Sequence, residues 1–463
     1  MLDYSYMKTD LDEVFSRGVG TFVDPDNTFR NKLEKKISGE YDQDIVIKFG
    51  VDPTRPDIHL GHAVVFRKLR QLQDLGCKVV FLVGDFTAQI GDPTGKSKVR
   101  PELSLAEISS NMKTFLDQVG KILKTDSQVF SWITNSDWFT GIMDIQVDQS
   151  SKVELEGKKL DPNSILSKAV IYENTRIQKT ALKKDLIQSV SLARFISILR
   201  KITHARLIAR DMFQDRIKGG EELFMHEMMY PVLQGIDSTV LAQIYGSCDM
   251  EIGGSDQTFN MLVGRDVMKM SNQPEQAVLA LEILPGLDGV EKMSKSLDNY
   301  VAITDAPSDM FGKIMSISDK LIPIYFELTS YTPQKEIEKI KKEVEEGKTN
   351  PRDLKLRLAH EIVSIYHGEK EAKEAEKDFI ETFSNKSVPK DIETVKAVAG
   401  AELSEVLISQ SVVKSKSEWR RLVESGAVSD VESGGKITEP GKVLEETITL
   451  RVGKHRFIRI ERI

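Results

Sequence analysis

The chain has 463 residues, 40% of them hydrophobic and 29% charged, with a formal net charge of −7. That length accommodates two to four domains of roughly 100–200 residues each, and the acidic balance excludes a generic nucleic-acid binder. No run of about 18 apolar residues suggests a membrane span, the first residues lack the basic-then-apolar pattern of a secretory leader, and two cysteines, Cys77 and Cys248, fit a reducing cytoplasm rather than a disulfide framework.

In chain order, the β-branched alternation of residues 44–51 predicts a strand. Residues 59–75 have apolar side chains at helical spacing and stop at Gly76, and 78–85 read as a buried strand. Strand, helix and strand in so short a span form the βαβ unit of a parallel sheet. Further strands are expected at 128–133, 249–253 and 278–283, with helices at 194–216, 220–236 and 255–270. The sum is a doubly wound α/β domain over roughly residues 30–300, within a catalytic region 1–304. Residues 140–190 are polar, lack amphipathic periodicity and read as an insertion. Residues 305–383 are helical, with Asn350 as an N-cap and Pro351 at the first helical position. A linker over 384–400 leads to a small α+β unit at 401–463, with a helix around Trp419 and strands in "TITLRVG" and "HRFIRIER". Residues 411–463 hold 11 Lys+Arg against 8 Asp+Glu, so this end is where a polyanion partner is expected.

Four stretches bear on the chemistry. "GDPTGKS", Gly91–Ser97, has only three residues between its glycines and an acid among them, which argues against a phosphate-binding P-loop. "DIHLGH" places His59 and His62 where a strand gives way to a helix, and a helix N-terminus favours phosphate. Gly61 would let a flat ligand approach the backbone. Alone, the two histidines also fit packing or capping roles, and a metal site less well, because no further ligands lie at metal-binding spacing. "EKMSKSLDNY" sets Lys292 and Lys295 three apart after a loop with two glycines, a pattern for clamping a polyphosphate or simply for a solvated basic loop. On the helix "EELFMHEMMYPVLQGIDS", Tyr230, Gln234 and Asp237 share one face, as a polar pocket or a polar surface stripe would require.

Together, "HLGH" at the first βα junction and "KMSKS" after the last strand resemble the HIGH and KMSKS signatures of the class I aminoacyl-tRNA synthetases, with Leu60 in place of Ile. Tyr230-x3-Gln234-x2-Asp237, with "GGSDQ" at 253–257 and "GDPTG" at 91–95, is similar to the tyrosyl-tRNA synthetase family. The resemblance implies an enzyme that activates L-tyrosine with ATP and esterifies it to tRNA-Tyr, with Mg²⁺ accompanying the nucleotide and no metal held by the protein. It implies ATP contacts from Gly50 and Asp52, from His59, Gly61 and His62, from Asp256, and from Lys292, Met293, Ser294, Lys295 and Ser296. Of these, His59, His62, Lys292 and Lys295 would carry catalysis. Tyr230, Gln234 and Asp92 would hold the tyrosine α-amino group, Asp237 would accept from the phenol hydroxyl, and Gln257 would line the same subsite. The helical region at 305–383 resembles the family's anticodon-recognition domain. The last 60 residues look like an S4-type RNA-binding domain, in which Arg420, Arg421, Lys454, Arg456 and Arg459 would meet phosphates. A cytoplasmic homodimer is the assembly implied.

Three features depart from the family pattern. Lys48 stands where one branch of the family has a Tyr that also binds the phenol, Ile236 replaces an aromatic residue, and the insertion has no counterpart. A second branch is similar to this chain at Lys48 and through the "HLGH" helix. A tryptophanyl-tRNA synthetase shares both signatures and stands as the close alternative. A non-catalytic RNA-binding relative is the other.

Overall fold

The computed structural model describes residues 11–53, 58–93, 105–139, 190–384, 392–410, 412–431, 435–453 and 456–463, together with the short stretches 153–155 and 158–160. Most of the 140–190 insertion, residues 94–97 of "GDPTGKS" and Lys454 therefore lie outside the described residues, as does the side chain of Ser296. The chain divides into two compact units, Met1–Asp305 with Ser316–Leu358, and Ala306–Met315 with Ala359–Ile463.

The strands of the first unit are β1 (Val19–Val23), β2 (Val46–Val51), β3 (Lys78–Val83), β4 (Phe130–Thr134), β5 (Val153–Leu155), β6 (Lys158–Leu160), β7 (Met250–Gly254) and β8 (Ala277–Leu281). Strands β5 and β6 pair only with each other, antiparallel. The other six form one sheet in the order β1-β8-β7-β2-β3-β4, parallel except for the edge strand β1. Both faces are covered, so the strands are apolar almost throughout, as a parallel sheet requires. On one face Phe49 and Phe81 pack with Phe66 of the Leu60–Asp74 helix and Phe115 of the Leu105–Val119 helix. On the other, Val46, Val80, Leu82 and Ile133 meet Val232, Ile236 and Val240 of the Met225–Tyr245 helix. The α/β doubly wound expectation holds.

Several elements differ from the sequence reading. Strand β1 had no expectation; it is short, and its pairing partner β8 lies at the far end of the domain. The single helix expected over 194–216 is three, Leu192–Leu199, His204–Ile208 and Asp211–Gly219. The first two start where Ser191 and Thr203 accept backbone N–H groups and cap new helices. The helix expected at 220–236 begins later and runs on, Met225–Tyr245; its first turn is fixed by Glu227, which accepts from the Phe224 N–H and pairs with Arg216.

In the second unit β9 (Glu393–Ala397), β10 (Val428–Asp430), β11 (Ile448–Val452) and β12 (Arg456–Arg462) form a sheet in the order β10-β11-β12-β9, with β9 parallel to β12. Residues expected to be linker thus include a central part that is strand. The pairing explains it: β9 supplies an edge to a sheet that the two C-terminal strands begin. Trp419 is buried under this sheet and donates to the Pro440 carbonyl. Of the expected helical stretch, Gln334–Glu345 belongs to the first unit and Glu369–Ser384 to the second, and the Pro351–His367 helix begins where Asn350 accepts from the Arg352 N–H.

Candidate active site

Strands β2 and β7 pair only at Ile47↔Met250 and Lys48↔Glu251, whereas β2 follows β3 through to Val51. The sheet therefore forks beyond Lys48. Chain order also reverses at this point, the place where open parallel sheets bind ligands. A cavity of about 780 Å³ opens there, at the carboxyl ends of the strands. Every residue expected in the ATP and tyrosine subsites lines it, apart from Ser296.

The first wall is "HLGH". His59 is the N-cap residue of the Leu60–Asp74 helix, in extended conformation. His62 Nδ1 accepts the His59 backbone N–H at 3.4 Å, which places the His62 proton on Nε2. The two rings stack, with centroids 3.9 Å apart and planes at 27°. Burial pushes His59 down to about 2, helped by His62, Lys295 and Lys292, and pushes His62 down to about 4, helped by Lys295 and Lys292. Both rings are neutral at physiological pH and act as hydrogen-bonding groups, not cations. His59 Nδ1 is buried with no partner, a polar atom ready for a ligand. Gly61 serves the ring first: a Cβ there would lie 3.0 Å from His59 Cε1 and Nδ1.

The second wall is "KMSKS". It is tied to the first by backbone, Leu60 N–H to Val301 O at 3.0 Å and Ile303 N–H to Ile58 O at 3.1 Å. The loop before it is not slack. Asn299 accepts from the Ser294 N–H at 2.8 Å and donates to Asp288 and to the Lys292 carbonyl, while Asp288 accepts from the N–H groups of Val290 and Glu291. Those backbone donors and Asn299 hold the Asp288 carboxyl below its ordinary range. Gly286 leaves the room, since a Cβ there would sit 2.1 Å from Asn299 Nδ2. Met293 is buried; Lys292 reaches Asp256 at 3.1 Å, and the Lys295 ammonium lies 5.7 Å from the Tyr300 ring centre.

The third wall is the Met225–Tyr245 helix. Asp237 is buried and accepts from Trp138 Nε1 at 2.9 Å and Asn135 Nδ2 at 3.3 Å. Burial pushes its carboxyl up to about 7, against the pull of Lys48 and of those two donors. Gln234 donates to Glu251 at 3.0 Å and accepts from Asn260, which also donates to Gln257, and Gln257 donates to Asp92 at 2.6 Å. Tyr230 donates to Asp52 at 2.8 Å, and Thr87 donates to the other oxygen of Asp52 at 2.8 Å. Asp52 and Tyr230, expected at different subsites, therefore meet where the two subsites join.

Sequence reasoning missed Asn135, Trp138, Glu251, Asn299 and Asp288. Only Asn135 and Trp138 carried a visible signal, as polar and amphipathic side chains immediately after a buried strand. Lys48 does not stand in for a phenol contact: its ammonium is spent on Glu251, the Gln234 carbonyl and Ser238. Among the described residues no group of three or more His, Cys, Asp or Glu is placed to hold a metal ion, and no helix is long and apolar enough to cross a membrane. In the second unit Arg420, Arg421, Arg456 and Arg459 are exposed. Arg456 is engaged with the Val412 carbonyl and Glu418, and Arg459 with Glu461.

Comparison with known proteins adds the following. The family model for "tRNA synthetases class I (W and Y)" matches residues 40–384. A tyrosine–tRNA ligase of Carboxydothermus hydrogenoformans is 38% identical over 457 residues, covering 97% of both chains. One from Francisella tularensis is 36% identical over 450 residues, again with 97% of each covered. Among solved structures, a C-terminally truncated mitochondrial tyrosyl-tRNA synthetase of Aspergillus nidulans shares the fold at TM-score 0.55 and 19% identity, over 81% of this chain and 93% of that one.

Proposed function

We infer the reaction from the family: the chain belongs to the class I tRNA synthetases, in the tyrosyl-tRNA synthetase family. It activates L-tyrosine with ATP, forming tyrosyl-adenylate and pyrophosphate, and transfers the tyrosyl group to tRNA. Nothing favours tryptophan as the amino acid. The observation that carries the reading of the site is Asp237, a buried carboxylate lining the cavity with two fixed donors beside it. Aimed at a phenol hydroxyl, it gains a charge-assisted hydrogen bond that phenylalanine cannot supply.

In this reading the tyrosine carboxylate oxygen attacks the α-phosphorus, a new P–O bond forms, and the bond to the leaving pyrophosphate breaks. No side chain acts as nucleophile, so the protein contributes position and charge stabilisation. His59 and His62 donate N–H groups to phosphoryl oxygens at the helix N-terminus, and Lys292 and Lys295 supply cations. For Lys292 this means leaving Asp256. Gly50, Asp52, Gly61, Asp256, Met293, Ser294 and Ser296 frame the nucleotide. Tyr230, Gln234, Asp92 and Gln257 hold the amino end of tyrosine. Mg²⁺ arrives on the ATP phosphates. Of the C-terminal arginines, Arg420 and Arg421 are the best placed for tRNA phosphates, because Arg456 is already engaged. A cytoplasmic homodimer is the setting that the family resemblance and the two free thiols support. ATP–pyrophosphate exchange with Tyr, Phe and Trp tests the reading. Exchange is expected with Tyr, with Phe far weaker; exchange led by Trp, or none at all, would reject it.

A further inference from the structure

Lys48 and Glu251 are register partners on β2 and β7, and they are the last pair before the two strands part. Both side chains are buried, and they form an ion pair of 2.9 Å. An ion pair taken out of water is a weak device for stability, because desolvation offsets most of the attraction. Its placement points to another use. Lys48 also donates to the Gln234 carbonyl at 2.7 Å and to Ser238 Oγ at 2.8 Å, while Glu251 accepts from the Gln234 amide at 3.0 Å and from Gln276. Three of these contacts grip one turn of the helix that carries Tyr230, Gln234 and Asp237.

We propose that Lys48 and Glu251 are positioning residues for the tyrosine subsite, a charged rung that fixes Gln234 against the sheet and keeps Asp237 an acceptor for the phenol. Resting on the reading of Asp237 given above, the inference adds the residues that act through it. The groups facing Asp237 are Lys48 from β2, Glu251 from β7, Trp138 from the Ser136–Phe139 helix and Asn135 at the end of β4. Behind Asn135 come Thr87 and, through it, Asp52. Lys48 is the one cation among them. An ionised carboxylate holds the phenol more strongly than a protonated one, and burial has already pushed Asp237 up to about 7, so losing that cation raises it further.

The test uses the full chain as Lys48→Met, Glu251→Gln and the double variant. Either single change leaves one buried group without its partner and can fail to fold, so the double variant is decisive. Folding is checked by thermal melting. In pyrophosphate exchange the double variant is expected to raise KM for tyrosine at least about tenfold and leave KM for ATP within about twofold. Its midpoint of kcat/KM for tyrosine should move less than that of Lys48→Met alone, because Glu251, lost with Lys48, pushes Asp237 the other way. An unmoved tyrosine KM in a folded double variant would overturn the proposal, as would equal losses for tyrosine and ATP. Asp237→Asn separates the two layers. If it retains Tyr-over-Phe discrimination, the reading of the subsite itself fails; if it loses discrimination while the double variant behaves as wild type, only the role of the rung fails.

Discussion

Gly61→Ala is expected to separate activity from stability. The new Cβ would lie 3.0 Å from His59 Cε1 and Nδ1, whereas carbon contacts settle at about 3.5–4.0 Å. The ring must yield by roughly 0.5–1 Å. It cannot yield toward His62, whose ring stacks at 3.9 Å, and the backbone of His59 is bridged to Ala302. It can move only into the cavity it lines. Misplacing a catalytic group by about 1 Å costs on the order of 10²-fold in rate, or about 2.7 kcal/mol. Gly61 has no left-handed backbone to protect, and alanine suits a helix better by up to about 1 kcal/mol, so the fold should not suffer. The assay pairs pre-steady-state formation of tyrosyl-adenylate with tyrosine binding by equilibrium dialysis and a thermal melt. The expected result is a 10–100-fold slower chemical step by the estimate for misplaced groups, tyrosine affinity within about twofold, and a melting shift of no more than about 4 °C. A folded variant with the wild-type rate would show that the His59 ring position does not matter to adenylation. Equal losses in rate and tyrosine affinity would show that Gly61 serves the amino-acid subsite instead.

Gly286→Ala would expel Asn299 from a site where a Cβ would stand 2.1 Å from Nδ2; with the lysine loop unframed, KM for ATP should rise about tenfold or more while tyrosine binding stays put, and a normal ATP KM would deny Asn299 its framing role. Asp237→Ala should lower Tyr-over-Phe discrimination by about 1–3 kcal/mol, the range for leaving a hydrogen-bonding group unmatched; exchange kinetics that preserve the ratio would reject the phenol assignment. In the wild type, the acid of Asp237 is raised to about 7, so it is ionised above that pH and protonated below it. Accordingly, kcat/KM for tyrosine should fall about tenfold per unit below the midpoint, and a flat profile from pH 8 to 5.5 would contradict this. His59 and His62, lowered to about 2 and 4, should show neutral imidazole signals at pH 6 in NMR of the ligand-free protein, assigned by their loss in single His→Asn variants; an imidazolium at either position would refute the burial account.

What the sequence disclosed and what it hid divide along a physical line. The histidine and lysine signatures were legible as a pair: a helix N-cap and a short basic turn need neighbours only a few residues away, but each alone also fits packing or a solvated loop, and only the two together pointed to phosphate. Their join was not, because the Leu60 N–H bond to the Val301 carbonyl is set by how the strands close up. Asn299 shows the same limit at short range. An asparagine after a basic turn reads as solvated, and only its burial beneath Gly286 turns it into the post that holds Lys292 and Ser294. Helix breaks at Thr203 were in principle readable from a capping residue, yet the apolar periodicity around it was the stronger signal and concealed it. Lys48 is the extreme case. In a strand pattern a lysine marks an exposed face, and the nearest acids in sequence, Asp44 and Asp52, are engaged elsewhere, with Lys78 and with Tyr230 and Thr87. Its meaning depends on Glu251, which becomes its neighbour only once β2 and β7 are paired in register. A parallel sheet brings together residues that its connections keep far apart, and the crevice lies where that pairing stops. The residues that shape such a site are therefore the ones whose roles a linear reading is least able to supply, even when it picks out the residues proposed to carry the chemistry.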